Sequence, residues 1–359
     1  INIHFFYIII FVRMNKNRHV IYKYTKPQKI YRILLRISTN NMSDEDKINK
    51  SKIRHIVCSG GGVTGFSFYG MLKACYLRNM WQFDDIETIY GTSVGSIFSV
   101  ILALKYDWKT IDDYLIKRPW QNVFKFDLYS ILDSLQKIGI FGIKTIEDIF
   151  SPLFLGKDIP INVTMKEFYN TTNIEIHIFT TDVMKFKLVD ISYKTHPDWR
   201  LIDAVYSSCS IPIIFSPFIK DSKCYCDGGL LLNYPLDKCI ENGANPDEII
   251  GLCSDLNTEG EDVFNENSSL LDYVIIILKK VMTAFLPAKQ HIIQNEFKIK
   301  SHDISIYDIV NTSSNSDERI RLIQNGVDVI ENIFTSTDNL SPTDSSLPNN
   351  LDNILIPST

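Results

Sequence analysis

Between residues 53 and 334 the chain alternates between short apolar runs and longer stretches in which apolar residues recur every three or four positions. Residues 54–58 form a short apolar run, Gly60 to Gly62 interrupt it, and residues 66–78 have helical spacing. Residues 86–90 read as a second strand, which enters Gly91-Thr92-Ser93-Val94-Gly95 and leaves through an apolar helix ending near Leu104. Farther on, residues 174–180, 187–192, 223–226 and 248–253 are strand-like, and 302–307 predict the last strand. Helices are predicted over 200–208, 270–285 and 317–334. Strands and helices in alternation predict an α/β fold, a mostly parallel central sheet covered by helices on both faces.

The two ends break this pattern. The apolar run at residues 1–12 carries Asn2 and His4 and is far shorter than the roughly 20 residues a membrane-spanning helix needs. Its basic residues follow it instead of preceding it, and no small-residue cleavage site is evident, so it does not read as a secretory signal. Residues 1–52 are therefore expected to be a polar, irregular leader with candidate starts at Met14 and Met42, and 53–334 the folded domain. Residues 335–359, rich in Ser, Thr, Asn, Asp and Pro, are expected to be a disordered tail.

Composition narrows the function. A chain of 359 residues with 45% hydrophobic content has ample material for a buried core, as in a soluble globular protein. A net charge of -5 gives no electrostatic reason to expect nucleic acid. The seven cysteines lie mostly inside apolar runs and lack paired metal-ligand spacing. They read as free thiols of a reducing, cytoplasmic compartment, and Cys224 and Cys226 as thiols flanking Tyr225 on a strand.

Two glycine-rich segments carry candidate chemistry. Gly91-Thr92-Ser93-Val94-Gly95 fits a nucleophile elbow, where small flanking residues let a serine sit in a sharp strand-to-helix turn. Ser59-Gly60-Gly61-Gly62-Val63-Thr64-Gly65 lies between the first strand and the first helix, where bare backbone N–H groups can face an anion. A nucleotide phosphate is one such anion: Gly60, Gly62 and Gly65 satisfy G-x-G-x-x-G, with Asp84 and Asp85 about 20 residues on. That reading leaves Ser93 without a role. The oxyanion of an acyl-transfer intermediate is the other.

A reactive serine needs a base. His4 and His19 lie in the leader, His55 and His177 in predicted strands, and His196 before Pro197 in a loop. His291 and His302 come late, without a loop signature around them. Asp227-Gly228-Gly229 follows a short strand and offers a carboxylate, although the same tripeptide makes a good turn. On residue types alone, histidine and carboxylate both remain open as the base.

Taken together, Gly60-Gly61-Gly62-x-x-Gly65, Gly91-Thr92-Ser93-Val94-Gly95 and Asp227-Gly228-Gly229 in this order resemble the patatin-like phospholipase family. Residues 203–215 look like its Ala/Ser-rich helix running into Ile-Pro-x-x-Phe, and Asp227 to Pro235 match its D-G-G-x-x-x-N-x-P; the motifs fall within 53–242. The resemblance implies a three-layer α/β/α fold and ester hydrolysis by a Ser-Asp dyad, with Ser93 as nucleophile and Asp227 as general base. It implies Gly60, Gly61 and Gly62 as the oxyanion hole, with Gly65, Gly91, Gly95, Gly228 and Gly229 as supporting motif glycines. No metal or organic cofactor is implied. The substrate would be a phospholipid or other lipid ester, with transient membrane-surface contact for which the apolar helix at 270–285 is a candidate. Where the family commonly has Lys or Arg before the last glycine of its first motif, this chain has Thr64, which changes the charge offered to a head group. Two alternatives share the fold: a catalytically silent lipid-binding scaffold, and an acyltransferase that uses an alcohol or lysolipid in place of water.

Overall fold

The computed structural model describes residues 52–125, 138–255, 270–285, 290–300 and 305–338. Their strands are β1 (His55–Cys58), β2 (Thr88–Thr92), β3 (Gly139–Phe141), β4 (Glu175–Asp182), β5 (Lys187–Ile191), β6 (Ile213–Phe215), β7 (Phe218–Lys220), β8 (Lys223–Asp227), β9 (Ile249–Asp255) and β10 (Asn295–Lys300). The helices are α1 (Gly65–Leu77), α2 (Val94–Ala103), α3 (Trp108–Lys117), α4 (Ile143–Leu155), α5 (Met165–Thr172), α6 (Leu201–Cys209), α7 (Leu236–Glu241), α8 (Leu270–Phe285), α9 (Ile306–Ser314) and α10 (Ser316–Asp338).

Eight of these strands make one sheet in the order β10-β9-β1-β2-β4-β8-β7, with β5 also on β4. From β10 to β4 all neighbours are parallel, whereas β5, β8 and β7 add antiparallel pairings. Strand β1 is paired on both sides and wholly buried, which is why its sequence is nearly continuous apolar. Side-chain alternation divides the core. Ile56, Ile89, Ile176, Ile178, Ile250 and Leu252 join one apolar cluster, while Val57, Tyr90, Phe179 and Ile249 join a second on the opposite face with Leu236 and Cys239 of α7. The expected layered α/β arrangement is thus present. All seven cysteines are free.

Helix α10 closes the first face against α1, and both helices carry a glycine at the crossing. A Cβ on Gly70 would lie 2.0 Å from Ile323 O, and one on Gly326 would lie 1.9 Å from Ser67 O. Ser67 Oγ also donates to Leu322 O at 2.8 Å.

The sequence misplaces one strand. β10 is Asn295–Lys300, where Phe297 and Ile299 alternate with charged residues, whereas residues 306–307 of the expected strand open α9. Ser305 is the reason: its Oγ accepts the Asp308 N–H at 2.9 Å and caps the helix. Residues 302–304 of that expected strand and residues 1–51 of the expected leader (1–52) lie outside the described residues; α10 continues to Asp338, into the segment expected as tail. Among the described residues no helix is long and apolar enough to cross a membrane.

Candidate active site

Ser93 stands between β2 and α2 with φ 54° and ψ -125°, a left-handed backbone conformation that a non-glycine residue keeps only when its surroundings hold it there. Three hydrogen bonds do so. The Ser93 N–H donates to Ser208 Oγ at 2.9 Å, and the Ser93 carbonyl accepts from Ser96 N at 2.8 Å and from Ser96 Oγ at 2.6 Å. Gly95 is needed because α2 starts against the end of β1: a Cβ there would lie 2.4 Å from Cys58 O. Gly65, Gly91 and Gly228 are similarly pressed against Val94, Gly95 and Phe179.

The sheet register brings Asp227 to this serine. Strand β2 pairs with one flank of β4 up to Thr92 opposite Phe179. Strand β5 occupies the other flank from Ile178 to Asp182, so β8, which pairs with Thr180 to Asp182, has to lie on the flank that β2 has just vacated. Running the opposite way, β8 ends with Asp227 opposite Thr180, one step from Thr92. The two strands therefore meet end to end, and the Ser93 hydroxyl lies beside the Asp227 carboxyl without an aligned hydrogen bond between them.

Asp227 is 3% exposed, and no cation among the described residues contacts it. Its Oδ1 accepts the Gly229 N–H at 2.7 Å, while Oδ2 has no well-aligned hydrogen-bond partner. Burial raises the carboxyl to about 7, against the smaller opposing pull of Ser93 and the Gly229 N–H.

The glycine loop passes directly over Ser93. A Cβ on Gly60 would lie 3.2 Å from Ser93 Cβ and 2.5 Å from Asn233 Oδ1. The Gly60 N–H is already committed to Asn233 O at 3.0 Å, and its carbonyl accepts from Ser59 Oγ at 2.9 Å and Ser254 Oγ at 2.5 Å. Gly60 is thus a fixed anchor and not an open donor. Among the described residues, the N–H groups of Gly61 and Gly62 donate to nothing. Gly62, at φ 54°, faces open space. Thr64 is buried in the turn Gly62–Thr64 beside Gly61, so no cation projects from that position.

An apolar cavity of about 140 Å³ opens from Ser93 and Gly62. Val94, Phe98 and Ile101 of α2 form one wall, Phe66, Ile211 and Phe215 another, and Leu115 and Trp120 lie farther along. Phe66 and Phe215 therefore line the cavity, whereas Phe68 is fully buried and Phe218 packs on Trp199 and Tyr225. The four described histidines are engaged elsewhere: His55 with Thr88, His177 with Glu175 and Asp190, His196 with Thr195, and His291 with Asp237. His302 lies outside the described residues.

Sequence reasoning missed the residues that hold this geometry. Ser208 fixes the Ser93 amide and donates to Phe179 O at 2.6 Å. Asn233 and Ser254 fix Gly60. The available signal was the run of small residues at 207–210 and the Asn233 of the extended Asp227 motif.

Residues 56–240 match the family described as patatin-like phospholipase. A protein of Acanthamoeba polyphaga mimivirus without an assigned activity is 28% identical over 220 residues, covering 61% of this chain and 71% of its own. A probable lipid hydrolase of Invertebrate iridescent virus 6 is 28% identical over 188 residues, covering 52% of this chain and 63% of its own. Among solved structures, VipD from Legionella pneumophila superimposes with a TM-score of 0.47 at 16% identity, covering 79% of this chain and 67% of that one. The family match runs from β1 into α7, takes in both Ser93 and Asp227, and spans more than half of the 359 residues; the chain belongs to the patatin-like phospholipase family.

Proposed function

We propose that this protein is a lipid acyl hydrolase of the phospholipase A or lysophospholipase kind, acting through Ser93 and Asp227. The observation that carries the reading is the placement of a serine in a strained turn beside a buried carboxyl raised to about 7, whose Oδ2 has no hydrogen-bond partner among the described residues. Such a carboxyl is basic enough to take a hydroxyl proton near neutral pH. Ser93 Oγ attacks the ester carbonyl carbon as its proton passes to Asp227, and the Gly61 and Gly62 N–H groups receive the developing oxyanion. The N-terminus of α2 adds to that stabilisation. Collapse breaks the C–O bond, and the alcohol leaves with the proton from Asp227. Water then gives a proton to Asp227 and attacks the acyl carbon; collapse breaks the bond to Ser93 Oγ, which takes the proton back from Asp227 as the fatty acid leaves. The acyl chain occupies the apolar cavity, consistent with a phospholipid or other lipid ester presented at a membrane surface. The probable lipid hydrolase among the relatives agrees with this class.

Fatty-acid release from phospholipid vesicles and from a short-chain ester, measured in chelator, tests the reading. Ser93→Ala and Asp227→Asn are each expected to lower the rate by at least about a thousandfold. Full activity in Asp227→Asn would hand the base role to another group, and an inactive wild type would leave a lipid-binding scaffold.

A further inference from the structure

Beyond the reacting groups, the sheet end that carries Ser93 also carries two hairpin tips. Strand β4 continues two residues past Thr180, the level of Asp227, before turning into β5; at about 3.3 Å per residue its end stands roughly 7 Å beyond the reacting level. Its turn and first β5 residue, Val183-Met184-Lys185-Phe186-Lys187, are five consecutive exposed residues. Beside it, the β7 and β8 hairpin turns at Asp221 and Ser222, and the Val183 N–H donates to Cys224 O at 2.8 Å. Because Ile219 pairs with Cys224, the side chains of Ile219, Cys224 and Val183 form a cross-strand row on one face.

This surface is apolar where it protrudes. Met184 is 74% exposed and Ile219 69%, with Val183 at 40%. Lysines frame it. Lys185, Lys187 and Lys223 are exposed and form no ion pair among the described residues, whereas Lys220 is held by Asp203 at 3.2 Å and Asp221 is the exposed acid of the neighbouring turn. Three exposed lysines without an ion pair among the described residues thus lie together in a chain of net charge -5.

We infer that the paired tips are the docking surface for an anionic phospholipid bilayer. Projecting aliphatic side chains ringed by lysines suit insertion at the headgroup boundary, with the lysines at the anionic surface. Two narrow tips offer far less than the roughly 800 Å² per partner of a stable protein interface. In parallel sheets, ligands approach from the carboxyl ends of the strands, so docking here presents lipid to the Ser93 side. The inference deepens the proposed lipid-ester reading and rests on it for its purpose, but binding is measurable without turnover.

The experiment floats the full chain carrying Ser93→Ala with vesicles of phosphatidylcholine, with and without phosphatidylserine. Stronger partitioning onto the phosphatidylserine vesicles is expected. Adding Met184→Glu with Ile219→Glu should lower it by about tenfold or more, and Lys185→Gln with Lys187→Gln by about thirtyfold on phosphatidylserine vesicles only. With Ser93 restored, these variants should cleave a monomeric short-chain ester at the wild-type rate, which checks fold and cavity. Equal partitioning of the Met184/Ile219 variant and its parent would overturn the inference. So would loss of self-association in that variant without an effect on vesicles, which would assign the tips to a second copy. If the wild type cleaves no ester while the vesicle differences persist, the catalytic reading fails and the docking surface stands.

Discussion

Strand β4 carries two buried polar clusters, one toward each end, and they solve the same electrostatic problem in opposite ways. Toward its start, His177 lies between Glu175 Oε1 at 3.2 Å and Asp190 Oδ2 at 2.9 Å, with Lys194 Nζ on Glu175 Oε2 at 2.6 Å and the ring stacked on Tyr90 at 4.2 Å. Toward its end, Thr180 faces Asp227, a carboxyl with no cation in contact. Burial acts on both clusters. It pushes Glu175 up, but the imidazole and the ammonium outweigh it and hold that carboxyl below its ordinary value; it pushes His177 down, but the two carboxylates outweigh it and raise the ring. At Asp227 only Ser93 and one N–H oppose burial, and the carboxyl rises to about 7. A charge-paired cluster is a piece of scaffold, whereas an unpaired one beside a strained serine is poised for proton transfer.

The sharpest way to break this contrast is to neutralise each cluster in turn. Asp227→Asn should remove hydrolysis yet stabilise the fold at pH 8, because it takes away a buried carboxylate without a counter-charge. His177→Asn should leave kcat and KM within about twofold of wild type and destabilise by roughly 3 kcal/mol, since two carboxylates lose their shared partner. Thermal unfolding and ester hydrolysis of both variants decide it. Stability changes of the same sign in the two variants would erase the distinction.

The pH dependence sharpens it further. The proposed base role requires Asp227 to be ionised, so kcat/KM should climb with pH to a plateau with a midpoint near 7, unmoved by His177→Asn. Folded Asp227 holds its proton more tightly than the unfolded chain does. Its contribution to stability is therefore full below pH 3.8 and is lost as pH rises to about 7, amounting to at most about 4 kcal/mol. The melting temperature of Asp227→Asn should pull ahead of wild type across that window and keep a constant lead above it. His177, with its raised folded value, loses its contribution only as pH climbs through that value from 6.5 upward.

These two clusters also mark how far the sequence could be read. The elbow was legible because close backbone approach is written into residue type: nothing but glycine fits 2.4 Å from Cys58 O at position 95. The juxtaposition of Ser93 and Asp227 was expected only through family resemblance, since it depends on β8 filling the flank of β4 that β2 leaves open. His177 was recognised as a strand histidine, but its partner Asp190 comes from the antiparallel turn back through β5. Gly70 and Gly326, 256 positions apart, gave no hint of the crossing of α1 and α10. Ser305 defeated the prediction of the last strand because a helix cap and a strand residue look alike in a short apolar run.

The smallest expected effect concerns what holds the reactive end in place. Ser208 Oγ accepts the Ser93 N–H and donates to Phe179 O, so it ties the strained turn to β4 through bonds that do not involve Asp227. Ser208→Ala leaves a buried N–H unpaired, which costs about 1–3 kcal/mol of stability, and frees Ser93 to relax from its φ of 54°. The expected result is about a tenfold fall in kcat with KM unchanged, because substrate still enters the same cavity while the hydroxyl is aimed less well. Lys194→Met at the other end removes a cation whose side chain is 61% exposed, and should change stability by less than about 1 kcal/mol and activity not at all. If Ser208→Ala lowers stability alone and kcat holds, the strain at Ser93 is maintained by Ser96 and the α2 start instead, and the positioning of Ser93 rests on the helix side of the turn.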